Sequence, residues 1–268
     1  MNDFPEGSVW LVGAGPGDPE LLTRKAERLL READIVFHDA LVSEAVLDLI
    51  PSATPRHSVG KRAGRHSVPQ AMICDTVVKA ALSGQRVVRL KGGDPSIFGR
   101  ANEEIAACRE HAIAVRICAG VTTASAASAT LGLSLTLRGL ARRLTFVTAH
   151  TKAGAVPDLD WAALADPQAT IAVYMGKSAA PHIARGLLAA GLKKSTPVVL
   201  VESVSLPGER SFATRLELLP LAAKTGLGDG PAIILIGEAL GEIASEDTTA
   251  VARETKARHD QSRSNMRV

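Results

Sequence analysis

Apolar residues are distributed along this chain in two alternating patterns. Short, nearly continuous apolar runs are separated by longer segments in which apolar positions return every three or four residues. The first pattern is that of strands covered on both faces, the second that of amphipathic helices. Ser8–Val12, Ile35–Phe37, Arg86–Leu90 and Ile113–Ile117 read as strands. Leu21, Leu22, Ala26, Leu29 and Leu30 share one helical face, and Val46, Leu47 and Ile50 suit a shorter helix. Pro69–Leu82 reads as a helix with proline at its start and Gly84 just past its end. Ala101–His111 and the small-residue segment Val121–Leu131 are two more, and a brief extended piece precedes a loop at Val59–Gly64. Such alternation predicts an α/β fold, a parallel sheet with right-handed crossovers.

A polar, glycine-containing stretch, Leu137–Arg143, interrupts the series. A second series follows: Leu144–Thr148, Ile171–Tyr174, Val198–Val201, Ser211–Leu216 and Ala232–Ile236, with a helix at Ile183–Ala190. The expected organisation is an N-terminal α/β domain over residues 8–138 and a C-terminal α/β domain over 144–241. A mixed-charge tail over 242–268 is expected to be flexible.

Composition narrows the function. Aromatic residues make up 3% of the 268, too few for platforms that stack single-stranded nucleic acid. A net charge of +3 lacks the dense basic patch of a DNA binder. There is no apolar window of about 18 residues, the length a membrane span needs, and MNDFPEGS is not a signal peptide. Cys74, Cys108 and Cys118 have no metal-ligand spacing, and the seven histidines are scattered. The expectation is a cytoplasmic protein with reduced thiols, no metal, no nucleic-acid partner and no membrane association.

Chemistry gathers where strands end. The richest segment is RLKGGDPSIFGR, Arg89–Arg100. Gly92 and Gly93 let a ligand approach the backbone, and Pro95 fixes the exit of the turn and biases Asp94 towards an extended conformation. Ligands of open α/β sheets bind at the carboxyl ends of strands. A plain strand-to-helix turn needs only one glycine and a capping Asp. The first glycine loop, GAGPGDP (residues 13–19), resembles a dinucleotide fingerprint, but Asp18 stands where the third glycine belongs. An acid at a helix N-terminus repels a pyrophosphate, and Pro16 and Pro19 remove two amide donors. The loop therefore suits a ligand without phosphate.

Asp39 follows a buried strand, as a site acid or as a helix N-cap. Lys61 and Arg62, with Arg65 and His66 close behind, can grip carboxylates or form a solvated loop. Arg100 and Glu103 are one helical turn apart and can pair. Arg138 falls near the expected boundary. Thr122 and Thr123 begin a helix, as ligand contacts or as caps. Met175, followed by Gly176, ends a strand.

Together VGAGPGDPELLT, HDALVS, VGKRAG, RLKGGDPSIFGR, GVTTASAASATLGLSLTLR, VYMG and GPAIILIGEAL resemble the tetrapyrrole methylase family, in the family's order from Ser8 to Leu240. KGGDP together with GKRAG is similar to the branch acting on uroporphyrinogen III. The resemblance implies two α/β domains, each with a mostly parallel sheet flanked by helices, S-adenosylmethionine in the cleft between them, and a homodimer. It implies that Pro16, Gly92, Gly93, Asp94, Ile97, Thr122, Thr123, Met175 and Val204 line the cofactor pocket. Many relatives carry glycine or alanine at the position of Val204, so a backbone contact is expected there. Asp39 matches the family's proton acceptor and Lys61 its proton donor. Arg100, Glu103 and Arg138 match positions that hold or activate the tetrapyrrole, and Arg62 adds a carboxylate partner. The implied reaction is methylation of uroporphyrinogen III at two pyrrole carbons, C2 and C7, giving precorrin-2 via precorrin-1, with S-adenosylhomocysteine as by-product. Two other readings stay open: a methylase of a later corrin intermediate, and a non-catalytic dinucleotide-binding module.

Overall fold

Val9, Trp10, Leu11 and Val12 are each no more than 3% exposed, as a central strand with helices on both faces requires. The computed structural model describes residues 3–60, 69–149 and 159–241; the expected tail over 242–268 lies outside them. The chain divides into two compact units, Met1–Thr123 and Ala124–Val268. By this division the composition change at Leu137–Arg143 falls within the second unit.

The first unit contains β1 (Val9–Gly13), α1 (Arg24–Glu32), β2 (Ile35–His38), α2 (Glu44–Leu47), β3 (Arg56–Ser58), α3 (Gln70–Leu82), β4 (Val87–Lys91), α4 (Ala101–Glu110) and β5 (Val115–Cys118). Its sheet has the order β3-β2-β4-β1-β5, and every pairing is parallel. Ala26, Leu29 and Leu30 of α1 and Val46 and Leu47 of α2 pack with Trp10, Val12, Val36, Val88 and Leu90. Val77 and Val78 of α3 and Ala101 and Cys108 of α4 pack with Val9, Leu11, Phe37 and Val87 on the other face. Helices leaving β1 and β4 thus cover opposite faces, as right-handed crossovers running in opposite directions must. The adjacent pair β1 and β4 is therefore the switch point, where such sheets open a crevice at their carboxyl edge.

α5 (Thr123–Thr130) leads into the second unit, which holds β6 (Arg143–Thr148), α6 (Trp161–Leu164), β7 (Ala169–Tyr174), α7 (Ala180–Ala189), β8 (Pro197–Glu202), β9 (Arg210–Arg215), α8 (Leu219–Thr225) and β10 (Ala232–Ile236). Its order is β6-β7-β10-β8-β9. Here the expectation of a mostly parallel sheet needs correction. β6 and β7 are parallel, but β10 runs antiparallel to both β7 and β8, and β9 antiparallel to β8. The connection over residues 203–209 is too short for a crossover of about a dozen residues, so β9 must return antiparallel. Ile171, Val173, Leu200, Ile234, Ile183 and Leu219 form this unit's core.

Each unit has one tryptophan. In the first, Lys25 Nζ lies 4.1 Å from the Trp10 ring centroid. In the second, a side chain at Gly186 would meet the Trp161 ring at 2.3 Å, and His182 lies against that ring with centroids 5.4 Å apart. Cys74, Cys108 and Cys118 are buried and free. Burial pushes the Cys108 thiol up to about 11, with Cys74 adding to it, so at neutral pH it stays a thiol. Among the described residues no helix is long and apolar enough to cross a membrane.

Asp34 ties the starts of β2 and β4 together. It accepts from the backbone N–H, Nε and Nη2 of Arg86 at 2.7, 3.1 and 2.8 Å. These bonds hold its carboxyl below the usual range, against a smaller opposing effect of burial. A lowered folded pKa means stability that is present above the ordinary carboxylate value and lost as pH falls through the lowered one. Asp34→Asn should therefore cost about 1–2 kcal/mol at neutral pH, and urea melts should show wild type and variant converging in acid.

Candidate functional site

The candidate residues of the first unit lie at the carboxyl edge of its sheet. Three loops meet there in backbone contact. Gly15 and Gly93 exchange N–H···O bonds of 3.2 and 2.7 Å. A Cβ on Gly120 would fall 2.2 Å from the Gly93 oxygen, and one on Gly13 2.6 Å from Gly120. Gly93 itself needs a positive φ of 66°. Asp94 staples the arrangement. Its Oδ2 accepts from the Gly120 N–H at 3.0 Å and its Oδ1 from the Ser96 N–H at 2.7 Å. The Thr123 hydroxyl lies 3.9 Å from where a Gly93 side chain would start.

Gly92 is different. It is exposed, and a Cβ there would meet nothing nearer than Leu41 Cβ at 3.7 Å. Packing does not require glycine at this position, so the bare backbone faces open space. Beyond it, Pro95 is buried, Ile97 half-buried and Phe98 39% exposed. Phe98 and Arg100 both adopt left-handed φ values, 52° and 57°, which cost about 1–2 kcal/mol each. A side chain on the intervening Gly99 would strike the Pro95 oxygen at 2.5 Å. This turn delivers Arg100 to the start of α4, where Nε and Nη2 donate to the two Glu103 oxygens at 2.8 and 2.7 Å. The carboxylate beside it raises the Arg100 guanidinium above its ordinary value. Arg100 therefore stays charged and is no proton acceptor.

The first glycine loop makes no phosphate nest. Asp18 accepts from the Glu20 N–H at 2.9 Å and caps the short 3₁₀ turn Pro19–Leu21. Half-buried Pro16 has no N–H to offer. This agrees with a ligand lacking phosphate.

Asp39 does not cap α2; Ser43 does, its Oγ accepting from the Val46 N–H at 3.3 Å. Asp39 instead faces a cluster that the sequence reading passed over. Arg89 Nη2 donates to Asp39 Oδ1, and Lys91 Nζ lies 3.7 Å from Oδ2. Both cations also engage Glu104 of α4, Arg89 Nε at 2.9 Å and Lys91 Nζ at 3.2 Å. Glu104 further accepts from Gln70 Nε2 at 3.3 Å. The backbone of Asp39 is held as well. Its N–H donates to the Leu90 carbonyl at 3.1 Å, and a Cβ on Gly60 would fall 2.0 Å from the Ala40 nitrogen. The signal for this cluster was present as two charges, Arg89 and Lys91, in an otherwise apolar central strand. Lys61 and Arg62 lie outside the described residues.

Met175 and Val204 belong to the second unit. β7 and β8 both run opposite to β10, so their carboxyl ends lie on one edge of the sheet. Met175 directly follows β7, with a φ of 55°, and is 48% exposed. Tyr174 beside it accepts the Ala124 N–H at 3.2 Å, tying the start of α5 to β7. Val204 lies between Ser203 and Ser205, both left-handed at 55° and 60°. Its side chain is 4% exposed, so it packs inward. One carboxylate organises this edge. Glu202 accepts from the Gly228 and Gly230 N–H groups, each at 2.9 Å, and pairs with Arg210 and, at 3.9 Å, Lys177. Burial works to raise its pKa, but the Gly228 N–H, Arg210 and the Gly230 N–H outweigh it and hold the carboxyl below the usual range. Lys177 also donates to the Gly228 carbonyl. Arg138 is exposed in a turn closed by the Leu137–Ala141 backbone pair.

Residues 8–220 match the family of Tetrapyrrole (Corrin/Porphyrin) Methylases. The chain is similar to the uroporphyrinogen-III C-methyltransferase of Pseudomonas aeruginosa, 46% identical over 241 residues, 90% of this chain and 97% of that one. It is 45% identical over 233 residues to the siroheme synthase of Nitrosospira multiformis, covering 87% of this chain and 49% of the relative. The chain thus spans about half the length of the siroheme synthases it matches. Among solved structures it resembles the Thermus thermophilus uroporphyrin-III C-methyl transferase complexed with S-adenyl homocysteine. The TM-score is 0.75 at 40% identity, over 88% of this chain and 99% of that one.

Two glycine substitutions should separate packing from opening. Gly120→Ala should lower stability by about 1–3 kcal/mol, the usual cost of overpacking. Gly92→Ala should change it by less than about 0.5 kcal/mol. Thermal melts of the two variants check this.

Proposed function

The chain belongs to the tetrapyrrole methylase family, and on that premise we propose that it methylates carbon atoms of uroporphyrinogen III at the expense of S-adenosylmethionine. The finer reading is two transfers, at C2 and C7, giving precorrin-2 via precorrin-1, by a cytoplasmic homodimer. The observation that carries the proposal is the edge at which Gly92 leaves the backbone open beside the loop bearing Asp39.

The residues present fit the cofactor. A carboxylate at Asp18 and a proline at Pro16 would handicap a phosphate ligand, but S-adenosylmethionine has no phosphate. Gly92, Ile97, Thr122, Thr123, Met175 and the Val204 backbone would contact it. Gly93 and Asp94 would serve the pocket mainly by fixing its loops. When bound, S-adenosylmethionine supplies a methyl group on an electron-poor sulfonium.

The chain's own residues would supply alignment, charge and a proton acceptor. Arg100, held rigid by Glu103, would bind a carboxylate of the tetrapyrrole through charge-assisted hydrogen bonds. Arg138 and Arg62 would bind others, and Lys61 would act as proton donor. An electron-rich pyrrole carbon would take the methyl group as its bond to sulfur breaks, releasing S-adenosylhomocysteine and leaving the macrocycle with one positive charge in excess. Loss of one proton to Asp39 restores neutrality. A guanidinium whose protonated form is favoured by Glu103 does not compete for that role.

Incubation with uroporphyrinogen III and methyl-labelled S-adenosylmethionine should move label into the tetrapyrrole. No transfer to uroporphyrinogen III, with transfer to a later corrin intermediate, would reassign the substrate. Tight NAD binding without any calorimetric response to S-adenosylhomocysteine would overturn the cofactor. Arg100→Ala should lose most turnover, about 100-fold, while S-adenosylhomocysteine still binds; wild-type turnover would remove Arg100 from the mechanism. Gly92→Val should lose S-adenosylhomocysteine binding in a folded protein.

A further inference from the structure

Arg89 occupies a position in the middle of a parallel sheet that packing alone would give to valine or leucine. In register it lies between Leu11 of β1 and Phe37 of β2, facing α3 and α4. Its side chain is 1% exposed, Lys91 5% and Glu104 0%, whereas Asp39 is 29% exposed. The cluster holds two cations and two carboxylates, and Asp39 is its solvent-facing member. Buried ion pairs gain little over apolar side chains of similar volume, so stability is a weak reason for this arrangement.

The guanidinium has no freedom. Nε donates to Glu104 Oε1 at 2.9 Å, Nη1 to the Leu90 carbonyl at 3.0 Å, and Nη2 to Asp39 Oδ1. A planar fork with each nitrogen committed holds whatever lies at its tip. Asp39 Oδ1 lies at that tip. Oδ2 has Lys91 Nζ at 3.7 Å, beyond hydrogen-bond reach, and so keeps its lone pairs for a proton.

We propose that Arg89, fixed by Glu104, is a positioning residue that locks Oδ1 of Asp39 and presents Oδ2 to the substrate. This rests on the reading of Asp39 as proton acceptor. Lys91 completes the charge balance behind it. The fork, rather than charge alone, is the device, since a lysine at position 89 would offer a positive charge without the planar geometry.

The test uses the full chain. The double variant Arg89→Met/Glu104→Leu removes one cation and one anion at similar volume and leaves Lys91 paired with Asp39. It should remain folded, bind S-adenosylhomocysteine as wild type does and keep the wild-type KM for uroporphyrinogen III, while kcat falls about 100-fold. Arg89→Lys, which keeps the charge, should show the same split and serves if the double variant does not fold. Asp39→Asn is measured alongside. Loss of turnover in Asp39→Asn with wild-type kcat in either Arg89 variant overturns the positioning role alone. Wild-type kcat in Asp39→Asn, or no transfer by the wild-type protein, overturns the functional reading and the inference with it.

Discussion

No side chain fits where the loops after β1, β4 and β5 meet. Gly13 and Gly120 approach each other and the Gly93 carbonyl so closely that a Cβ added to either would overlap a neighbouring backbone. Everything else at the carboxyl edge depends on this contact. It draws the ends of adjacent strands together, sets Asp94 to bridge two loops, and leaves Gly92 on the outside as a bare position that neither packing nor a positive φ demands. The same fixed turn forces Phe98 and Arg100 into left-handed backbone, which aims the arginine at the start of α4. A sheet with its switch point between β1 and β4 provides the crevice; the glycine contact gives it a floor.

Behind that floor lies a layer of charge. Arg89, Lys91 and Glu104 are almost fully buried between the sheet and its helices. Desolvating them is costly; Glu104 Oε1 offsets this by accepting from Arg89, Lys91 and Gln70, whereas Oε2 has no hydrogen-bond partner and only the Lys91 ammonium 3.2 Å away. In the second unit one buried carboxylate, Glu202, does comparable structural work for the loops around Met175 and Val204. Both units thus use a buried ion to hold a strand-end loop, the first through side chains and the second largely through backbone amides.

Much of the fold was legible because burial on two faces imprints apolar runs, and one-sided burial imprints a helical period. β10 was found at its observed limits, Ala232–Ile236, and α3 within one residue. Strand direction in the second sheet was not legible from such runs, because a buried strand looks the same in either direction. Only the short connection over residues 203–209 carried that information. The short helix α6 and the helix α8, opened by Pro220, lacked a long enough period. At the site, glycine turns and the Arg100–Glu103 spacing are local and could be read directly. The Arg89–Glu104–Asp39 cluster is not local: its members are brought together only by the pairing of β4 with β2 and the docking of α4. For Asp39 the choice between cap and site acid depended on Ser43, four residues on, which takes the capping role.

The two tryptophans have a practical bearing. Trp10 sits beneath a lysine in the first unit and Trp161 against a glycine and a histidine in the second. They fall one to each compact unit, and the chain has no others. Each unit therefore carries its own optical label. Replacing one tryptophan at a time turns the intrinsic fluorescence of the whole protein into a separate record of how either half melts, and of whether the halves melt together.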